Sequence, residues 1–120
     1  MKLPIDGMEF SESAYRKDGK LWDARTLYDF AKARDYPVVD MPLWCVNLGR
    51  MPFTCDSLKG FIFQCKRVNN CSLEHPIIVD DEGIIADGYH RVCKAILNGD
   101  ETIKAIRMLE MPSPDEQTED

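Results

Sequence analysis

The pattern that most constrains the fold is a pair of short apolar runs joined by a turn. The first run is Pro76-Ile77-Ile78-Val79-Asp80 and the second is Ile84-Ile85-Ala86, with Asp81-Glu82-Gly83 between them. Both runs are too short for a helix, and the turn signal between them predicts a β-hairpin of buried strands. The chain is therefore expected to build a sheet that includes this hairpin.

A helix is expected directly after the hairpin. Asp87-Gly88 interrupts the second run, and the helix is predicted to start at Tyr89 or His90 and to end at Asn98. Gly99 stands where a glycine usually ends a helix. The apolar residues that share one face of this helix are Val92, Ala95 and Ile96. The order strand, Asp-Gly, helix is the central motif of the sequence.

The remaining elements follow from periodicity and from residues that start or stop a helix. One helix is predicted from Asp23, as its cap, to near Asp35, and another from near Asp56 to Lys66-Arg67. Strands are predicted over 43–47 and 103–108. The second helix is expected to bury one apolar stripe, which is formed by Leu58, Phe61, Ile62 and Cys65. The predicted fold class is α+β, a small mixed β-sheet packed with about three helices.

The length of 120 residues suits one hydrophobic core. Residues 1–20 are polar and irregular, and they are expected to form an N-terminal arm on the surface. Residues 21–110 are expected to form the single domain. Residues 111–120 are acidic and contain two prolines, and a disordered tail is expected there.

Charge and composition narrow the class of function. The net charge of −6 and the pI of about 4.9 argue against DNA binding by this chain alone. No segment has the roughly 20 apolar residues of a membrane span, and the first residues lack the apolar core of a signal peptide. We therefore expect a cytoplasmic protein without a membrane partner.

The five cysteines form no C-x-x-C pair, so a disulfide framework and a zinc site are not expected. Cys65 and Cys93 fall in apolar helical patterns, which favours core packing as reduced thiols. Neither zinc nor haem is expected as a cofactor.

The start of the predicted helix suits an anion. The first amides of a helix lack internal partners and lie at the positive end of its dipole. Gly88 allows close approach to the backbone, His90 can donate from its ring, and Arg91 can clamp two phosphate oxygens. The simpler alternative is a solvated first turn in which both side chains face water. Lys66 and Arg67 are candidates for additional positive charge.

Asp87 has three possible roles, and the sequence leaves all three open. Its carboxylate can cap the helix, bind a magnesium ion or act as a catalytic base toward a nucleophile. A magnesium or base role is compatible with a neighbouring phosphate site.

The run from Pro76 to Gly99 resembles the ParB/sulfiredoxin superfamily, as a stand-alone domain with a D-G-x-H-R variant of its motif. Gly88, Arg91 and Ala95 coincide with the G-E-R-R-x-R-A box of ParB N-terminal domains. The resemblance implies a ParB/sulfiredoxin-like fold and binding of nucleotide phosphates by the segment Gly88-Tyr89-His90-Arg91. In sulfiredoxins a reactive cysteine stands where Tyr89 lies, so the resemblance does not extend to sulfinic acid reduction. Asp87 and Arg91 also match a D-G-x-x-R pattern of free-serine kinases, which implies a base role for Asp87.

Three functions follow from these features. The first is a nucleotide- or phosphate-binding domain, as a phosphotransferase or nucleotidase that uses a nucleotide with Mg²⁺. The second is a non-catalytic, nucleotide-responsive module that binds a protein partner through exposed apolar residues such as Trp22, Trp44 or Phe53. The third is a ParB-like nuclease. Its carboxylates would be Asp80, Asp81, Glu82 and Asp87.

Overall fold

A computed structural model describes residues 2–3 and 14–118 of the chain. Within these ranges the chain forms seven strands and three α-helices. The strands are β1 (Ala14–Lys17), β2 (Lys20–Asp23), β3 (Val38–Pro42), β4 (Ile77–Val79), β5 (Ile85–Asp87), β6 (Thr102–Arg107) and β7 (Glu116–Gln117). The helices are α1 (Ala24–Ala33), α2 (Leu58–Asn70) and α3 (Tyr89–Leu97). The predicted α+β class and the mixed sheet with three helices are confirmed.

The larger sheet has the strand order β3-β6-β4-β5. β4 and β6 run parallel, and the other two pairs are antiparallel. The predicted hairpin is confirmed, because β4 pairs with β5 through Ile78 opposite Asp87 and Val79 opposite Ile85. All three residues of β4 are buried, as expected for a strand covered on both faces.

Two apolar clusters cover the two faces of this sheet. Because side chains alternate along a strand, Ile77 and Val79 join one cluster and Ile78 joins the other. The first cluster includes Val92 and Ala95 of α3, and the second includes Leu27 and Ala31 of α1. The two helices thus cover opposite faces, and the segment between β5 and α3 leaves the sheet at its edge.

The N-terminal part of the described chain differs from the expected surface arm. β1 and β2 form an antiparallel hairpin in which Tyr15 lies opposite Trp22. Their rings stack with centroids 5.8 Å apart, and both residues are buried in the second cluster. Two inward side chains are too few to produce a detectable period, so the sequence pattern misses this hairpin. Residues 4–13 of the predicted arm lie outside the described residues.

The acidic C-terminal segment also differs from the expected disordered tail. β7 pairs with β2 to complete a second, three-stranded sheet. Trp22 Nε1 donates to the Pro112 carbonyl at 2.8 Å, and Asp115 Oδ2 accepts from the Asp23 amide at 2.8 Å. These are contacts between residues about 90 positions apart, which local composition does not reveal. Residues 119–120 lie outside the described residues.

The first strand of the larger sheet is displaced from its predicted position. The prediction placed it at 43–47, whereas β3 spans Val38–Pro42 and a 3-10 turn follows at Leu43–Cys45. Pro42 is tolerated because β3 is an edge strand. Leu43 and Val46 enter the first cluster from the turn, so their apolar character reflects burial outside a strand.

The predicted helices α1 and α3 are confirmed within two residues at each end, but the buried stripe predicted for α2 is wrong. Leu58, Phe61, Ile62 and Cys65 are all exposed, which also corrects the expected core packing of Cys65. α2 instead packs through the opposite face, where Gly60 is buried.

In the described ranges, no helix is both long enough and apolar enough to cross a membrane.

Candidate functional site

The connection between β5 and α3 depends on the backbone conformation of Gly88. Asp87 is the last residue of β5, Gly88 follows with φ +107°, and α3 begins at Tyr89. A Cβ atom on Gly88 would lie 2.4 Å from Ile77 Cγ2, so the sheet itself excludes a side chain there. The Val92 amide donates to the Gly88 carbonyl at 3.0 Å. The preceding amides are therefore the unpaired first donors of the helix, as the sequence predicts.

Asp87 forms a cluster with two partners, one of which the sequence did not indicate. Arg91 Nη2 donates to Asp87 Oδ2 at 3.1 Å and to the Tyr28 hydroxyl oxygen at 3.0 Å. That hydroxyl lies 2.9 Å from Asp87 Oδ2 and 2.7 Å from the Pro76 carbonyl oxygen, its two possible acceptors. Burial and the nearby Asp87 carboxylate raise the pKa of Tyr28 to about 12, so Tyr28 remains a donor at neutral pH.

The cluster removes one of the three roles left open for Asp87. The side chain of Asp87 makes no capping hydrogen bond to α3, whose N-cap is Gly88. Capping, the simplest of the three options, is therefore wrong. Asp87 and Arg91 are 15% and 16% exposed, so their ion pair is largely shielded from water. The hydrogen bonds from Tyr28 and from Arg91 both end on Oδ2 of Asp87.

His90 is held by α2 and is neutral at physiological pH. Its Nε2 lies 2.7 Å from Gln64 Oε1, and the Phe53 ring lies 4.6 Å from the imidazole, centroid to centroid. Burial lowers the pKa of His90 to about 4, and the positive charges of Arg67 and Arg91 add to this effect against the opposing charge of Asp87. The simpler alternative, a solvated first turn with both side chains facing water, therefore does not hold for His90.

Of the two basic residues predicted to add charge, the structure brings Arg67 to the site. Arg67 is half-buried, and its electrostatic influence reaches both His90 and Asp87. Burial lowers the pKa of Arg67, and the carboxylate of Asp87 opposes that effect. Lys66 is exposed, and as the preceding residue of the helix it projects about 100° away from Arg67.

The side chain of Tyr89 packs against its neighbours. Its ring contacts that of Phe53 edge to face, with centroids 6.4 Å apart, and it lies against the first apolar cluster. Burial raises the pKa of its hydroxyl. The contribution of Tyr89 to the site is therefore its backbone amide at the start of α3.

Three residues of the site were not assigned to it from sequence, namely Tyr28, Gln64 and Phe53. Tyr28 and Gln64 lie in α1 and α2 at distant positions, and no local motif links them to Asp87 or His90. Phe53 was considered as an exposed contact for a partner, whereas its ring packs on His90. Among the residues described, no group of three or more His, Cys, Asp or Glu side chains is arranged to hold a metal ion.

The fold and the site together define a small α+β domain with a half-buried cluster of Asp87, Arg91 and Tyr28 at the start of a helix. Comparison with protein-family models, with curated proteins and with solved structures found no match to this chain. The chemistry proposed for the cluster therefore rests on its own geometry.

The depressed pKa of His90 gives a direct test of this electrostatic picture. We expect the imidazole to titrate near pH 4 in the free protein. Since an unfolded histidine titrates near 6.5, the folded state loses stability as the pH falls through about 6.5 toward 4. Proton NMR of the ring Cε1–H signal as a function of pH measures this, with the His90→Gln variant assigning the signal. Titration of His90 at or above pH 6.5 would contradict the burial of its ring and the influence of the neighbouring positive charges described above.

Proposed function

We propose that this domain binds the phosphate of a nucleotide or another small phosphorylated ligand at the start of α3. The observation that carries the proposal is the placement of Arg91. Its side chain lies in the first turn of α3 after Gly88, is 16% exposed, and donates to Asp87 Oδ2 at 3.1 Å and to the Tyr28 hydroxyl at 3.0 Å. A phosphate at this point would be bound by the guanidinium group of Arg91 and would accept from the first amides of the helix.

The guanidinium group of Arg91 has N–H groups for a ligand in addition to those that it donates within the cluster. Both of its hydrogen bonds use the nitrogen Nη2. A guanidinium carries five N–H donors on three nitrogens, so Nη1 and Nε remain for phosphate oxygens. Tyr28 and Asp87 then act as positioning residues, since they hold the guanidinium plane in one orientation.

His90 would respond to such a ligand. With Nε2 engaged by Gln64, its second ring nitrogen can donate to phosphate when the ring is protonated. An adjacent phosphate dianion favours that protonated form, so binding is expected to raise the His90 pKa above its value in the free protein.

The resemblance to the ParB/sulfiredoxin superfamily supports the same assignment. Gly88, Arg91 and Ala95, which match the ParB box, lie at the start of α3 and on its buried face. We therefore propose a ParB-like phosphate-binding domain. Tyr89 in place of a cysteine leaves no thiol for sulfinic acid reduction at this position.

In the enzymatic form of the proposal, Asp87 is the base of a phosphotransferase or nucleotidase. Asp87 Oδ1 would take the proton of a hydroxyl group or a water molecule. The oxygen of that hydroxyl group or water molecule would at the same time bond to the terminal phosphorus. The bond from phosphorus to the bridging oxygen breaks, and the leaving phosphate departs with its electron pair. The positive charge of Arg91 would stabilise this transfer, and Asp87 is the residue that would hold a Mg²⁺ ion, which would supply further charge stabilisation.

Isothermal titration of the protein with ATP, ADP and AMP, each with Mg²⁺, tests the binding. We expect Arg91→Ala to weaken binding by about 10- to 100-fold, since it removes charge-assisted hydrogen bonds to phosphate. Arg107→Ala removes an exposed arginine of β6 and is the matched control, expected to bind as the wild type does. Failure of every phosphate compound to bind, or equal losses in both variants, would overturn the proposal.

Phosphate release by the wild type and by Asp87→Asn separates the enzyme from a binding module. If the domain is a phosphotransferase or nucleotidase, turnover falls in Asp87→Asn while binding persists. Binding without any turnover in the wild type would instead favour the nucleotide-responsive module.

A further inference from the structure

The exposed face of α2 carries an apolar stripe that no part of the described core covers. Leu58 is 74% exposed and Phe61 is 54% exposed, and Ile62 and Cys65 are also exposed. The four residues have the spacing i, i+3, i+4, i+7, which places them on one side of the helix. Single exposed apolar residues are common on protein surfaces, but a contiguous stripe of this kind marks an interaction site.

The orientation of α2 is set by contacts on its opposite face. Gln64 binds His90 of α3, and Lys94 Nζ donates to the carbonyl oxygens of Asn69 and Cys71 at 3.0 and 2.7 Å. Rotating the helix to bury the stripe would break these hydrogen bonds. The stripe is therefore held outward by these hydrogen bonds, of which the one between Gln64 and His90 also belongs to the candidate phosphate site.

The charge of α2 is opposite to that of the whole chain. The helix contains Lys59, Lys66 and Arg67 and no acidic residue, whereas the chain as a whole carries −6. Lys59 is exposed and projects along one edge of the stripe, next to Ile62. An apolar stripe with a cationic edge is the pattern by which paired helices select partners through hydrophobic seams and flanking charges.

We propose that the α2 stripe, formed by Leu58, Phe61, Ile62 and Cys65, docks an amphipathic helix of a protein partner whose apolar face is flanked by acidic residues. The apolar side chains supply the contact area, and the cationic edge selects acidic partners and sets their register. A second copy of this chain suits the surface less well, because an antiparallel pair of α2 helices would bring one cationic edge against the other. The proposal is independent of the phosphate site, since it uses the opposite face of the helix.

A synthetic helical peptide tests this docking surface on the full chain. The probe is about 14 residues long, two heptads, with leucines along one face and glutamates along its edge. Fluorescence anisotropy of the labelled peptide is expected to show saturable binding. Binding should weaken as salt is raised. A version with lysine in place of glutamate should bind much more weakly.

Substitutions in the α2 stripe test whether the peptide binds there. The double change Leu58→Ser with Phe61→Ser is expected to weaken binding by about tenfold or more, and Lys59→Glu by a few-fold. Both serine substitutions fall on side chains more than half exposed, so the fold tolerates them. Leu97→Ser, at an equally exposed leucine of α3, is the matched control and should bind as the wild type does.

Several results would overturn the docking proposal. One is equal affinity in the stripe variants and in Leu97→Ser. Another is a dimer in sedimentation that is lost in the double variant, which would assign the stripe to a second copy. Adsorption to phosphatidylserine vesicles that the double variant abolishes, without peptide binding, would assign it to a membrane surface. Competition by a peptide of residues 4–13, which contain Asp6, Glu9 and Glu12, would assign it to the chain itself.

Discussion

Replacing Asp80 with alanine is expected to lower the free energy of unfolding by about 3–5 kcal/mol, because it removes a buried charge that several donors depend on. Asp80 is 1% exposed. Its Oδ2 accepts from the Tyr15 hydroxyl at 2.6 Å and from Lys17 Nζ at 3.1 Å, and its Oδ1 accepts from the amides of Glu82 and Ile84. One carboxylate thus ties the N-terminal hairpin to the turn between β4 and β5.

Urea denaturation of Asp80→Ala measures this loss, and Glu82→Ala provides the control. Glu82 pairs with the same lysine at 2.8 Å, but its side chain is 66% exposed. A solvent-exposed ion pair contributes about 0–1 kcal/mol, so this variant should be close to the wild type. Similar unfolding midpoints for the two variants would show that Asp80 does not join the two segments.

The same carboxylate makes the fold sensitive to acid. Burial alone would raise the pKa of Asp80, but hydrogen bonds from Tyr15, the Ile84 amide and Lys17 outweigh it and hold the pKa below its ordinary value. Asp80 therefore stabilises the fold above its pKa in the unfolded chain, about 3.9, and this contribution disappears as the pH falls through the lower folded value. In Asp80→Asn, the decrease in stability below about pH 4 should be smaller.

Gly88→Ala is expected to destabilise the fold by about 2–4 kcal/mol, the sum of a strained backbone and an overfilled core. The new Cβ would lie 2.4 Å from Ile77 Cγ2 and 3.0 Å from Arg91 Nη2. The conformation at φ +107° also disfavours any L side chain. The substitution should therefore displace Arg91 as well as lower the unfolding midpoint.

Gly83→Ala separates the effect of the strained backbone from the effect of the overfilled core. Gly83 has φ +88° in the turn before β5, and a Cβ there would meet nothing within 4 Å. We expect it to cost about 1 kcal/mol, from the backbone conformation alone. If the two alanine variants lose equal stability in urea denaturation, the close contact between Gly88 and Ile77 contributes nothing.

Part of the site was accessible from sequence because its signals are local. The Asp-Gly step between an apolar run and an amphipathic segment predicted the end of β5 and the start of α3 within a residue. Gly88, His90 and Arg91 follow from that step, since the helix start places them together. Arg67 was also identified, but only as a basic residue at a helix end.

The rest of the site could not be predicted because its contacts join segments far apart in the chain. Tyr28 and Asp87 are 59 positions apart, and Gln64 and His90 are 26 apart. Which face of α2 turns inward was predicted wrongly for the same reason. Periodicity shows that Leu58, Phe61 and Ile62 share a face, but it does not show whether that face meets the core or a partner.

The Asp87-Gly88 turn and the amphipathic helix after it were determined by the sequence itself, because glycine conformation, short apolar runs and helical period act within a few residues. Tertiary structure decided the remaining features. These are the pairing of β7, the packing of the Tyr15–Trp22 hairpin, the ion pair of Asp87 with Arg91 beside Tyr28, and the outward orientation of the α2 stripe. Each depends on free energy gained only when distant segments meet, through burial of shared apolar surface or satisfaction of a buried charge.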